Sequence, residues 1–465
     1  MSRAVREATV PAYIFLCLVF GGSAQGIWSN LLLQLLAIAL IGWALLHRAA
    51  GRLEAPARQV LAILGAGIVL ALLHLVPLPP ALWSALPGRE VVATGFETLG
   101  RPLPWLPLSL APYATMATLL TLLPPTAVLL VMLRLNAFRP AWLATAIALG
   151  TTASVALGVL QVSAPGADSP WYLYPFTNLG VATGFFANAN HLAILLVITI
   201  PFLAVLMNSG LRAPEDNGRR VTGLAAAAAA IGLVVLVGIG INGSLAGIGL
   251  SIPVLIASSL LVVRRRGPAA RLLLPAAGLF LGVAILVLFA SSRSGLLPEQ
   301  ARGSIASRAE MASTSLAAAA DFAPVGSGVG TFRQVYVFHE NPDTVRRTFV
   351  NHAHNDYLEI AVEAGLPGLL ITVVFLAWFA AAAIACWRSA SAPTIARAAT
   401  IAVAAVLAHS FVDYPLRTAA IASIFAMSLA LMSSRKDAPA RQDEGELRPS
   451  RHLTLDDIAK TERNS

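Results

Sequence analysis

Charge is what this sequence has least of. Only 12% of its 465 residues are Asp, Glu, Lys or Arg, against roughly 25% in soluble domains, while 57% are hydrophobic. Cysteine is nearly absent. Cys17 and Cys386 both fall inside apolar runs, so neither a disulfide framework nor a cysteine metal cluster is expected. No HExxH pair and no GxxxxGK[ST] loop occurs, which removes the zinc-protease and P-loop signatures. Repeated halves with paired broken helices, which mark many transporters, are not evident around Pro201 or Pro253. No metal, cofactor or nucleic-acid partner is expected.

What is present is apolar length. Runs of about 20 residues recur from end to end, each able to cross a hydrocarbon core of roughly 30 Å. They predict an all-α polytopic membrane protein with about twelve transmembrane helices, near 10–27, 30–47, 59–76, 112–133, 140–162, 185–207, 221–241, 244–263, 272–290, 364–387, 395–412 and 418–433. The basic start MSRAVR and the run to Gly26 have the form of a secretory signal, but the spans that follow favour an uncleaved first helix. With the N-terminus inside, only Arg89, Arg101, Arg293, Arg302, Arg308, Arg333, Arg346, Arg347 and Arg417 lie outside. Every short inside loop is then basic, so both termini are expected to be cytoplasmic. The chain divides into helices one to nine (1–290), a large and partly helical outer loop (291–363), helices ten to twelve (364–433) and a solvated tail (434–465).

Two outer segments stand out. Residues 77–111 are rich in proline and tryptophan, as suits a stretch lying on the membrane interface. The 291–363 loop contains an alanine-rich helical candidate (Ile305–Asp321), a glycine turn (PVGSGVG) and the aromatics Phe332, Tyr336 and Phe338. A loop of that length and content is expected to carry function.

Its end, VNHAHNDYLEIAVEAGLPGL at 350–369, crowds titratable groups against a span. Asp356 and Glu359 have capping-box spacing, which predicts a helix start near Tyr357. His354 then sits just before a positive helix end that favours a neutral, proton-accepting ring. His352, Asn355, Glu359 and Glu363 share one approximate face if the helix extends back. The same spacing also fits a capped lead-in with solvated histidines. Loop arginines near a histidine pair suit a phosphate-bearing substrate, or merely balance the loop's acids. Two clusters end spans: Asn188, Asn190 and His191, and His409, Asp413 and Arg417. Each is a functional candidate or a set of interhelical contacts.

Four motifs occur in a particular order: Gly184–His191 (G-F-x-x-N-x-N-H), Gly328–Phe332 (G-x-G-x-x-F), His354–Gly368 (H-N-D-Y-L-x-x-x-x-E-x-G-x-x-G) and Asp413–Arg417 (D-Y-P-L-R). In these the chain resembles the bacterial O-antigen ligase and O-antigen polymerase superfamily. The resemblance implies a GT-C-like, metal-independent glycosyltransferase of the inner membrane with its active site in the periplasm. Its donor would be a glycan on undecaprenyl diphosphate, and its acceptor lipid A-core, a growing glycan or a protein hydroxyl. It carries the family's loop histidine, as general base or as the group that positions the acceptor, onto His354, the diphosphate-binding arginines onto Arg308 and Arg293, and a family acid onto Asp413. His352, Asn355, Glu363, Asn190 and Arg417 complete the expected substrate-binding set. One departure is visible: the family's Ser-Arg turn between the seventh and eighth spans reads INGSLAG here, with Leu245 in the arginine's place. The competing readings are a twelve-span transporter of an anionic solute and a protein O-oligosaccharyltransferase within the same superfamily.

Overall fold

The computed structural model describes residues 2–23, 27–47, 51–166, 168–210, 218–263, 282, 299–344 and 350–433. The expected ninth span, Arg293 and the 434–465 tail lie outside them.

Apart from a two-residue antiparallel ladder, the regular structure is helical. The helices are α1 (Arg3–Phe20), α2 (Trp28–Leu46), α3 (Ala55–Leu73), α4 (Pro80–Trp83), α5 (Glu90–Thr98), α6 (Pro112–Thr121), α7 (Leu123–Leu135) and α8 (Pro140–Ser163). They continue with α9 (Ala189–Gly210), α10 (Gly218–Asn242), α11 (Leu245–Val263), α12 (Glu299–Asp321), α13 (Phe332–Tyr336), α14 (Asp356–Arg388), α15 (Thr394–His409) and α16 (Ala419–Ser433). Proline sits in the first turn of α3, α6, α7 and α8, where its missing N–H costs nothing.

Among the described residues seven helical stretches are long and apolar enough to cross a membrane: Trp28–Leu46, Ala55–Leu73, Pro112–Leu135, Pro140–Ser163, Ala189–Asn208, Leu245–Val262 and Asp356–Arg388. Ala226–Asn242, Thr394–His409 and Ala419–Ser433 are apolar but shorter. The protein is therefore polytopic. A count of twelve spans is not established.

α9 is the axis of the bundle. It is almost wholly buried and packs against α8, α10, α11 and α15. α16 lies against α7, α15 and α1, and α14 against α3. Lipid tails are as apolar as leucine, so close packing rather than hydrophobic transfer holds such helices together. The buried faces of α15 and α16 suit this, with Ala398, Ala399, Ala402, Ala405, Ala420 and Ala426 letting backbones approach.

The expected loop helix is present and longer than its sequence signal, running from Glu299 rather than Ile305. Met311, Ala318, Phe322, Phe332, Val335, Tyr336, Ala353 and Val362 form a second apolar cluster beside the main core. The aromatic patch is thus split: Phe332 and Tyr336 are core, while Phe338 is exposed.

One detail differs from the sequence reading. The helix after His354 does not run straight into its span, because Gly365 is non-helical (φ 55°, ψ −148°) and breaks α14. The glycine turn at 326–330 fills that break: Ser327 and Gly328 donate to the carbonyls of Val362 and Glu363 (2.9 and 2.8 Å), and Leu366 donates to Pro324 O (2.8 Å). A Cβ on Gly365 would stand 2.2 Å from Pro324 O, so only glycine fits.

The 77–111 segment closes on the same turn. Pro77–Leu78 pairs with Leu106–Pro107, and Leu110 N donates to Ser327 O (2.9 Å). Buried Arg89 donates to Leu108 O and Gly326 O (2.6 and 3.2 Å) with Phe322 against its guanidinium. His74 Nδ1 accepts from Val329 N (3.1 Å). Burial and the neighbouring Arg89 lower the His74 pKa to about 4, so its ring is neutral and able to accept.

Candidate functional site

Backbone geometry singles out His354. Its φ is +49°, a conformation that non-glycine residues seldom adopt and that persists only where the surroundings enforce it. Next to it the side chain of Asn355 caps α14, accepting from Tyr357 N and Leu358 N (3.0 and 3.1 Å). This corrects the expected capping box. The cap is Asn355, not Asp356, and Glu359 turns away to bind His352 and Ala353 N. Asn355 also donates from Nδ2 to Phe411 O (3.1 Å), tying the helix start to the end of α15.

Held in this way, His354 places Nδ1 3.3 Å from Oδ1 of Asp413, at an angle off that of a well-formed hydrogen bond. The ring is a quarter exposed and the carboxylate not at all. With Nδ1 turned to a carboxylate, the proton belongs on that nitrogen and Nε2 keeps its lone pair. Asp413 Oδ1 also accepts from Tyr414 N (2.9 Å), Asn188 Nδ2 lies 3.4 Å from both carboxylate oxygens, and His191 Nε2 is 4.0 Å away. Burial raises the Asp413 pKa. The contact with His354, then the pull of His191 and His409, outweighs burial and holds the carboxyl well below the usual carboxylate range.

Tyr414 is the common wall. His352, His354 and His191 pack on its ring at centroid distances of 4.1, 5.0 and 5.0 Å. Burial, then the Asp413 charge, pushes its phenol far up, so it stays protonated. Sequence reasoning quoted Tyr414 inside D-Y-P-L-R without giving it a part, since nothing in the spacing brings three histidines to it.

A second pairing lies beside the first. His352 Nδ1 donates to Glu359 Oε1 (2.8 Å). Arg417 faces Asp356 (3.7 Å), Glu359 (3.2 Å) and Glu363 (3.4 Å). Ser410 Oγ donates to Asp356 (2.8 Å), and Phe332 N to Glu363 (3.1 Å). Burial works against the Arg417 charge, but Glu359, Glu363 and Asp356 overcome it and raise its pKa further. Arg417 and Glu363, both expected in the substrate-binding set, face each other, and Glu363 is also held by Phe332 N at the start of α13.

The remaining candidates approach from other elements. Arg308, half-buried on α12, is within electrostatic reach of His409 at the end of α15. Asn190 accepts from Ser244 Oγ (2.8 Å) and donates its backbone N–H to Asn188 Oδ1 (2.9 Å). A chain Ser244–Asn190–Asn188–Asp413 therefore links the α10–α11 turn, where Leu245 is exposed, to the buried acid. Gln161 fixes the lead-in to α9 by bonding Thr183 N, Gly184 N and Gly184 O (2.9, 2.8 and 3.0 Å). The structure thus brings His352, His354, Asn355, Glu363, Asn190, Asp413, Arg417 and Arg308 to one end of the bundle. Arg293 lies outside the described residues.

Among the described residues no group of three or more His, Cys, Asp or Glu is arranged to hold a metal ion. The arrangement offers an imidazole backed by a buried carboxylate, with a second imidazole–carboxylate pair and an arginine nearby. Such a set can take a proton from a hydroxyl.

Residues 222–373 match a protein-family model described as O-antigen ligase. No curated protein matches the chain. The matched stretch runs from α10 into α14 and includes the glycine turn and the His354–Gly368 segment, while Asp413 lies beyond it. The chain accordingly carries an O-antigen ligase family domain over residues 222–373, within a polytopic membrane protein, and that family implies an enzyme that transfers a lipid-linked glycan.

Proposed function

We propose that the protein transfers a glycan from undecaprenyl diphosphate to an acceptor hydroxyl on the periplasmic side of the inner membrane, as an O-antigen ligase or a surface-polysaccharide polymerase. The observation that carries this reading is the left-handed His354 set 3.3 Å from the buried Asp413. With Nδ1–H toward Asp413, His354 takes the acceptor's proton on Nε2. The acceptor oxygen bonds to the anomeric carbon, the bond from that carbon to the diphosphate oxygen breaks, and the electron pair leaves with the diphosphate. A diphosphate is already a good leaving group, so stabilising its charge matters more than protonating it. Arg308 and Arg293 take that role, His352 and Asn355 border the acceptor, and no metal is required. A single displacement inverts the anomeric centre.

Asp413 orients His354. Glu363, Arg417 and Asn190 act one step away, by fixing the turn, the helix start and Asn188. The whole is a GT-C-like arrangement of about twelve spans (1–290 and 364–433) around a periplasmic loop (291–363), with both termini and the 434–465 tail cytoplasmic. The acceptor, lipid A-core, growing glycan or protein, is left to the product.

The test is genetic. Deleting the gene and profiling surface lipopolysaccharide, secreted polysaccharide and glycoprotein shows which product disappears. Wild type restores it and His354→Ala at equal protein level does not. Unchanged glycans in the deletion strain overturn the proposal, as does a product with retained anomeric configuration.

A further inference from the structure

His191 is only 2% exposed, yet neither of its ring nitrogens has a hydrogen-bond partner among the described residues. Leaving a buried polar group unsatisfied is destabilising, and a phenyl ring in the same slot avoids that cost. The slot itself is apolar and aromatic: the imidazole stands edge-on to Tyr414 and to Phe186, at 5.0 and 6.3 Å. Nε2 lies 4.0 Å from Asp413 Oδ1. That oxygen is the one that faces His354.

We propose that His191 is a positioning residue for the transfer reaction, its Nε2–H closing on the Asp413 carboxylate as His354 takes up the proton and so keeping it in the orientation that faces His354. The inference rests on the function proposed above and adds to it a residue that takes no part in the chemistry as set out there. A carboxylate turns about its last side-chain bond unless donors fix it. Tyr414 N fixes Oδ1 along one direction, and Asn188 Nδ2 is shared between both oxygens at 3.4 Å, so it does not favour one over the other. His191 approaches from α9, the most deeply buried of the seven long apolar stretches among the described residues. When His354 gains the acceptor's proton, its Nδ1–H draws on Oδ1. Closing the His191 gap to an ordinary hydrogen bond needs a shift of about 1 Å. This second donor keeps the carboxylate from swinging after the moving imidazolium. The groups facing His191 are Asp413 and Tyr414 after α15, His409 at its end, and His352 and His354 from the loop. Asp413 is the sole carboxylate of that set.

The experiment measures the initial rate of surface-glycan formation in the deletion strain after inducing variants at matched protein level. Gln keeps an amide donor near the position of Nε2, and Asn is too short to reach Oδ1. His191→Gln is expected to stay within about 3-fold of wild type, and His191→Asn to fall by about 10-fold or more. In an Asp413→Asn background the same His191→Asn change is expected to have no further effect, since it acts through the carboxylate. Equal rates for Asn, Gln and wild type overturn the proposal, as do equal losses for Asn and Gln. A full 10-fold loss from His191→Asn in the Asp413→Asn background also overturns it. If His354→Ala is as active as wild type, or deletion leaves the glycans unchanged, the proposed function fails first and this inference with it.

Discussion

Replacing Asp413 by Asn perturbs the site with little change of shape. The amide keeps an oxygen for Tyr414 N and for Asn188, so the bundle is expected to fold. What is lost is the charge 3.3 Å from His354 Nδ1. Between a carboxylate and an imidazolium at that distance, Coulomb's law gives about 5 kcal/mol at an effective dielectric of about 20. The ring is a quarter exposed and its contact is off-angle, so water screens part of this. If roughly half survives in the transition state, the loss is about 2.5 kcal/mol, or a rate factor of about 70. The Asn can also present its NH₂ to Nδ1, which moves the proton to Nε2 and removes the base outright. A neutral site thus loses at least that factor. The assay is single-turnover glycan transfer in membranes from the deletion strain, comparing wild type, Asp413→Asn and Asp413→Glu. A loss in rate at saturating donor, with donor affinity little changed, is expected. A variant within 3-fold of wild type refutes the argument, as does one that loses only donor affinity.

Other predictions follow from the supporting network. Arg417→Leu leaves Asp356, Glu359 and Glu363 facing one another in a buried site. It is expected to destabilise by about 3–5 kcal/mol, read as a lower melting temperature in detergent, with Arg417→Lys intermediate. Gly365→Ala forces a Cβ to within 2.2 Å of Pro324 O at a φ of 55° and is expected to reduce folded protein on size-exclusion chromatography. Below pH 6.5 stability is expected to decline through His74. Its folded pKa lies near 4 and its unfolded value near 6.5, so in that window the unfolded state binds the extra proton. The stability is full above pH 6.5 and lost as pH falls toward 4, and thermal melts of His74→Gln are expected to show a shallower slope there. Chelators are expected to leave transfer unchanged, since the proposed chemistry routes no step through a metal.

The bundle was legible because a membrane demands apolar length. The runs read as 30–47 and 112–133 appear as the helical stretches Trp28–Leu46 and Pro112–Leu135, since a hydrocarbon core of roughly 30 Å calls for about 20 apolar residues. The break at Gly365 was not legible, because it depends on a turn 40 residues earlier occupying the gap. His354 and Asp413 each stood out by residue type and motif. Their contact did not, because it is made only when α14 and α15 pack end to end. Arg417 was legible as a charged group at the end of a span, but its three partners on α14 were not, because they meet it only when that helix start packs beside the end of α15. Arg89 was counted only as a topological signal, and its bonds to Leu108 and Gly326 carbonyls could not be read from a loop of prolines and tryptophans.

The most direct measurement of the central claim uses the full-length protein in proteoliposomes loaded with undecaprenyl-diphosphate-linked glycan. The acceptor is whichever glycolipid, glycan or protein the deletion strain fails to modify. Wild type is expected to form the product with release of undecaprenyl diphosphate, and His354→Ala to lose at least a factor of about 100 while binding donor as before. A His354→Ala enzyme working at the wild-type rate, or a wild type that moves no glycan, contradicts the account.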